Sequence, residues 1–204
     1  MELDLALLEA AQAGEGPFLR LYAWDGPWIS LGYFQRELAD ARGVPVVRRP
    51  TGGKALLHDR DLTYAVALPA AHPLAQLPVV ACYRALSERL VRALEVVGVR
   101  ATLGTLPPPT DTREKRRAVP CATEVHVDSV LVDGRKLVGS AQVRRHGAVL
   151  QHGSIPLGES APEVLAALAP DEPSLAQYRA RTTALTLELR VPLEAALIEA
   201  FADL

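Results

Sequence analysis

The sequence predicts an α+β fold, a mixed and largely antiparallel β-sheet flanked by helices, and three observations carry that prediction. Val125 to Val132, Lys136 to Arg144 and Ala148 to Pro156 are runs separated by Asp133-Gly134 and His146-Gly147, pairs suited to tight hairpins, and so read as an antiparallel meander. From Val79 to Val97, Tyr83, Leu86, Leu90, Leu94 and Val97 recur every three or four residues while Arg84, Glu88, Arg92 and Glu95 take the other side, the pattern of a helix packed on a sheet. The apolar run Val44 to Val47 leads into Arg48-Arg49, then Gly52-Gly53, then Asp61 to Leu68, which reads as strand, tight loop, strand.

The remaining elements follow in order. Residues 2 to 13 have Leu3, Leu5, Leu7, Leu8 and Ala11 near helical spacing and stop at Gly14, an amphipathic opening helix. Phe18 to Trp24 and Trp28 to Tyr33 read as two strands of a hairpin turning at Asp25-Gly26-Pro27. A short helix is expected at about 35 to 41. Pro162 opens another, to about Ala169, and Pro192 opens the closing helix to Ala202, proline being tolerated in a first turn. Pro107-Pro108-Pro109 begins the most irregular part, and the loop around 104 to 120 is where disorder is expected.

The 204 residues suit one domain, taken as residues 1–204, with enough chain for a substantial core. A hydrophobic content of 49% and a formal net charge of -2 describe an ordinary soluble protein and argue against a nucleic-acid binder. No segment has the length of a membrane span, and Met1 to Ala13 carries Glu2, Asp4 and Glu9 without a basic residue, unlike a signal peptide; the expected location is the cytoplasm. Cys82 and Cys121 form neither a disulfide framework nor a CxxC metal pair. Asparagine is absent, and three lysines stand against nineteen arginines, so lysine placement carries information: Lys54 and Lys136 both fall in the segments that follow.

Arg48-Arg49-x-Thr51-Gly52-Gly53, with His58-Asp59 and Leu62-Thr63-Tyr64, resembles the signature of the lipoate and biotin protein ligase superfamily, most closely its cysteine-dependent octanoyltransferase branch. Gly134 to Gln142 is similar to that family's lysine loop, and Gln151-His152-Gly153-Ser154-Ile155 to the strand after it. The likeness covers most of residues 1 to 160 and implies a biotin/lipoate protein ligase catalytic-domain-like fold. It also implies a reaction. Cys121 takes an octanoyl group from acyl carrier protein as a thioester, then passes it to a lysine of a lipoyl domain or the glycine-cleavage H protein.

A free thiol is only ~3% thiolate at pH 7, so Cys121 needs a nearby positive charge, which Lys136 can supply. Lys136 and the amides near Gly139-Ser140 are the expected oxyanion donors. The proton of the acceptor amine goes to Lys136 or His58, and both assignments stay open. By the same resemblance Gly52 and Gly53 line an acyl tunnel, Arg48 and Arg49 shape the loop and contact the donor, and Thr51 and His58 join the substrate site. No ATP or other cofactor is expected, because the thioester is already activated. Nor is a metal: His58, Asp59 and Asp61 lack a second close histidine or cysteine. Cys82 and His152 are read as structural. The basic run Arg113 to Arg117 is either a solvated loop or a docking patch for an acidic carrier protein.

Two alternatives accompany this reading. An ATP-dependent lipoate-protein ligase is disfavoured by Lys54, which occupies the third position of what is a triple glycine in ligases, by the absence of asparagine, and by the lack of room for an accessory domain. A non-catalytic protein that binds acyl groups or carrier protein is kept in view by the segment after Cys121, where Ala122 replaces an aromatic residue and no Pro-Ser pair follows.

Overall fold

The computed structural model describes residues 1–38, 40–104, 129–168 and 171–204. The chain runs α1 (Glu2–Gln12), β1 (Phe18–Tyr22), β2 (Trp28–Leu31), β3 (Val46–Arg48), β4 (Leu56–His58) and β5 (Asp61–Leu68). Then come α2 (Pro73–Gln76), α3 (Val79–Val96), β6 (Thr102–Leu103), β7 (Val130–Val132), β8 (Arg135–Arg145) and β9 (Ala148–Pro156). It closes with α4 (Pro162–Leu165), α5 (Glu172–Arg181), a 3-10 turn at Leu187–Leu189 and α6 (Arg190–Ala200).

A six-stranded sheet, ordered β1-β5-β9-β8-β7-β6, is antiparallel throughout. The expected meander is there as β7, β8 and β9, although residues 125–128 of its first run lie outside the described residues. Its two turns put both central residues at positive φ, 50° and 73° at Asp133-Gly134 and 49° and 81° at His146-Gly147, the geometry that matches the twist of paired strands. A three-stranded sheet, β3-β2-β4, holds one parallel and one antiparallel pairing, so the molecule is mixed and mainly antiparallel.

Every residue of β5 is buried, so both faces of that strand are covered. Successive side chains point to opposite faces, and the sequence sorts them. Leu62, Tyr64, Val66 and Leu68 join one core with Leu86, Leu90 and Leu94 of α3 and Leu193 and Leu197 of α6. On the other face Ala65 and Ala67 lie against Leu8 and Ala11 of α1, with Ala148 and Leu150 of β9. Small residues there let the helix approach closely. Beyond the end of α1 that face turns polar, with Asp61, Thr63, His152 and Ser154, and the small sheet stands over it.

Three expectations are corrected. β1 and β2 do not form a hairpin: β1 pairs with β5, while β2 lies between β3 and β4 in the other sheet. The Asp25-Gly26-Pro27 bend instead carries the chain between sheets, where Trp28 Nε1 donates to Asp25 and Trp24 Nε1 to Thr63. Residues 35–38, 40 and 41 are not helical. Carbonyls of Gly32, Tyr33 and Gln35 accept from Arg48 instead of from helical amides. The helix expected from Pro162 is a single turn, whereas α5 went unread although Asp171 caps it and Pro173 sits in its first turn. The 104 to 120 loop lies, from residue 105, outside the described residues. Among described residues, no helix is long and apolar enough to cross a membrane.

The opening helix is tied down by a buried carboxylate. Asp4 accepts from His152 Nδ1 at 2.9 Å, from the Tyr22 hydroxyl at 2.9 Å and from the Arg20 guanidinium. Burial alone would raise the Asp4 carboxyl; hydrogen bonds from His152 and Tyr22, with the Arg20 charge, outweigh it and hold the group below its ordinary 3.8. Burial is also the main influence on His152 and pushes its imidazole below the usual 6.5, against the pull of Asp4.

Both shifts have the same sign for folding. Below pH 6.5 the unfolded chain protonates His152 and the native chain does not, so the unfolded state gains; Asp4 adds a loss only below about pH 3.8, as its lowered native value is approached. The urea midpoint should therefore fall between pH 7 and pH 5, and His152→Gln should fall less over that interval. An unchanged slope in the variant would show that another group carries the effect.

Candidate active site

Strand register assembles the polar end of the central sheet into rows. Thr63, Ser154 and Gly139 stand side by side across β5, β9 and β8, and Ala65, His152 and Ala141 form the next row on that face. Over them β2 and β4 bring Ser30, Leu56, Leu57 and His58, enclosing an open cavity of about 710 Å³. Lys136 and the segment after α5 make its side wall: the Thr183 amide donates to the Lys136 carbonyl at 3.0 Å, and Thr182 bridges to the same residue.

His58 sits in the middle of a relay. Its Nδ1 lies 2.9 Å from Asp61 Oδ2, and its Nε2 lies 2.9 Å from Ser30 Oγ. A carboxylate only accepts, so Nδ1 carries the hydrogen, and in the neutral ring Nε2 accepts from the Ser30 hydroxyl. The oxygen of that hydroxyl in turn accepts from Arg49 Nη1 at 3.2 Å. Trp24 stacks on the imidazole at 4.3 Å between ring centroids, and Thr63 and Ser154 hydroxyls donate to the same Asp61 oxygen at 3.0 and 2.5 Å. The ring is therefore fixed in plane and in tautomer.

The two arginines of the motif divide their work. Arg49 is only 4% exposed; its guanidinium donates to the carbonyls of Ser30, Gly52 and Lys54, stitching the glycine loop to β2. Arg48 is exposed and gathers the carbonyls of Gly32, Tyr33 and Gln35. Both thus hold loop carbonyls, and Arg49 also lines the cavity. Thr51, fully buried, lies 2.7 Å from His152 Nε2. Gly52 and Gly53 lie outside the cavity lining; Gly53 has a φ of 94°, in the left-handed region that favours glycine, and its carbonyl oxygen would lie 1.9 Å from a Cβ built on Gly32, so the close packing there requires glycine at 32.

Lys136 is 6% exposed and lines the cavity beside Gly139. A Cβ on Gly139 would come within 3.1 Å of Lys136 Cε and 3.4 Å of Nζ, so the missing side chain is the space the lysine occupies. Ser140 lines the cavity too, but its hydroxyl is engaged on the far face by the Tyr64 hydroxyl at 2.7 Å. Cys121 and the run Arg113 to Arg117 lie outside the described residues. Cys82 is a buried core thiol 3.5 Å from Gln142 Nε2, and burial pushes its pKa up. His152, read as structural, both anchors Asp4 and lines the cavity.

Sequence reasoning missed Ser30, Tyr178, Thr182 and Thr183 as lining residues. Asp171-Glu172-Pro173 was the available signal for α5, and hence for Tyr178. Ser30 had none, because one serine in an apolar strand is unremarkable until β4 is laid beside it.

Comparison with known proteins agrees with this geometry. The family model of the lipoyl protein ligase A/B catalytic domain matches residues 1–202. Octanoyltransferase LipM of Kyrpidia tusciae is 44% identical over 82% of this chain and 64% of its own length, and that of Exiguobacterium sp. is 42% identical over 77% and 60%. The chain thus spans about three fifths of the length of these curated relatives. Among solved structures, a lipoate-protein ligase A bound with ATP superposes with a TM-score of 0.73 at 25% identity, over 98% of this chain and 77% of that one. With the family model matched from residue 1 to residue 202, the chain belongs to the lipoyl protein ligase A/B catalytic domain family.

Proposed function

We propose that the chain is an octanoyltransferase domain of protein lipoylation, working in the cytoplasm on an octanoyl thioester of acyl carrier protein. The observation that carries this reading is a buried lysine, Lys136, on the wall of a largely apolar cavity in a chain 44% identical to an octanoyltransferase. The Cys121 thiolate attacks the thioester carbonyl, the carbon–sulfur bond to the carrier breaks, and the carrier leaves as its thiol once protonated. The amine of an acceptor lysine, on a lipoyl domain or the glycine-cleavage H protein, then attacks the acyl-enzyme; an amide forms and Cys121 is returned as a thiol. Lys136 stabilises the oxyanion in both steps, typically a few kcal/mol for a well-placed donor.

His58 suits the proton-accepting role, since Asp61 fixes its Nδ1 hydrogen and leaves Nε2 as the basic atom. Ser30, held between His58 and Arg49, is the hydroxyl through which a proton reaches that nitrogen. An ATP-dependent ligase is the second reading, favoured by the shared fold with a ligase A that was solved with ATP.

Mixing the protein with octanoyl-acyl carrier protein in the absence of ATP should give a hydroxylamine-sensitive octanoyl adduct by intact mass, present in Cys82→Ser and absent in Cys121→Ser. An adenylate formed from ATP and a free acid, with no thioester adduct, would establish the ligase instead. Gly139→Ala tests the lysine. The side chain it displaces is flexible, so stability should change by no more than about 0.5 kcal/mol, while the transfer rate should drop about tenfold or more as the Lys136 amine moves. A variant with parental rate would remove Lys136 from the chemistry.

A further inference from the structure

Beside the apolar cavity lies a second, more polar compartment of about 550 Å³. The two share Leu57, Ser154, Pro156, Tyr178, Thr182 and Thr183, so they are neighbours separated by one layer of side chains. The second compartment is lined by three carboxylates, Asp59, Asp61 and Glu159, and by the single cation Arg179 among its described lining residues. Such a cluster would be unremarkable on a surface. Here one member is buried and half used.

Asp61 is 6% exposed, and its two oxygens are treated very differently. Oδ2 accepts from His58, Thr63 and Ser154. Oδ1 is buried and has no hydrogen-bond partner among the described residues. Leaving a buried acceptor unmet is costly, and more so when it is charged, so a donor that arrives there recovers that cost. Asp61 lines the second compartment and not the first.

We propose that this compartment receives the side chain of the acceptor lysine, with Asp61 Oδ1 as the hydrogen-bond acceptor for its amino group and Asp59 and Glu159 as the carboxylates that draw it in. The ligand class follows from the donor set: a cationic nitrogen with several hydrogens, on a stem thin enough to pass Tyr178 and Thr182. The inference rests on the acyl-transfer reading for the identity of the acceptor. It adds to that reading a route of entry, through the compartment lined by Asp59, Glu159 and Arg179. It also places the acceptor amine and His58 on one carboxylate, so the group that orients the base also orients the nucleophile.

The test is a double-mutant cycle in binding, which needs no acyl transfer. Dissociation constants are measured for the parent and Asp61→Asn, each against a lipoyl domain with its target lysine and against the same domain with that lysine changed to methionine. Asp61→Asn should weaken binding of the lysine form by about tenfold, the size of a lost charge-assisted contact, and leave the methionine form within about twofold. Equal losses against both forms would mean that Asp61 only supports the local structure, and no loss against either would mean that the lysine enters elsewhere; both overturn the proposal. Asp59→Asn with Glu159→Gln, at the more exposed rim, should cost about threefold against the lysine form alone, which keeps the test decisive should Asp61→Asn fold poorly. Because the readout is binding, a protein that forms no acyl-cysteine but passes this cycle would lose the transferase reading and keep the lysine compartment.

Discussion

The carboxylate of Asp61 joins the two sheets, and the candidate site exists because of that joint. It takes His58 from the small sheet, Thr63 from its own strand and Ser154 from β9 on a single oxygen. Hydrogen bonds to a charged acceptor are worth about 1.5–3 kcal/mol each, and three of them converge where the small sheet meets the large one. Arg49 makes the corresponding joint on the other side, holding the glycine loop against β2 through carbonyls. Between these two anchors lie Ser30 and His58, linking a guanidinium to a carboxylate by way of one hydroxyl and one imidazole. None of these groups is free to rotate without leaving a buried polar atom unmet, which is how a cavity floor made of short strands keeps its geometry.

What the sequence disclosed and what it withheld divide along a physical line. Turn pairs ending in glycine and a long amphipathic period were reliable signals. The turn pairs at Asp133-Gly134 and His146-Gly147 require positive φ at two adjacent residues, and few sequences supply that, so the β7-β8-β9 meander was legible. The amphipathic stripe of α3 was equally plain, although the buried line runs through Cys82 and not through the half-buried Tyr83. Partner choice was the opposite case. Asp25-Gly26-Pro27 does bend the chain, but whether the strands on either side pair is decided by what else is near, and β5 outcompeted β2 for β1 across the residues 23–60 that intervene.

The site shows the same division. Lys136, Gly139, His58 and Arg49 line the cavity and sit in contiguous motifs. Thr63 and Ser154 also fall in the motif segments, but their part, like that of Ser30, comes from register, since the three lie on three strands of two sheets and converge on one carboxylate and one imidazole. The failed helix near residues 35–41 has a related cause. The Gln35 carbonyl at its start, with those of Gly32 and Tyr33 just before it, accepts from the Arg48 side chain, a partner thirteen or more residues away that no local propensity can register.

Strand alternation explains how one short segment serves both stability and chemistry. On β5 the large apolar residues all face the core under α3 and α6, so that face is committed to packing; Tyr64 additionally bonds Ser140 and Gln151 there. The opposite face is committed to α1 for half its length through alanines, which leaves the other half for polar residues without thinning the core. Gly153 is the point where the two demands meet: a Cβ there would lie 2.6 Å from the Tyr64 ring and 2.7 Å from the Gly139 carbonyl oxygen, so core and cavity wall are separated by little more than backbone. Any larger residue at that position pushes the tyrosine into the core or the lysine loop away from it. The thinness of that partition lets Lys136 and His152 stand on one cavity wall while the aromatic and aliphatic groups behind them stay buried. It also means that the site's geometry is inherited from the packing of α3 and α6, since whatever moves Tyr64 moves the strand from which the chemistry is hung.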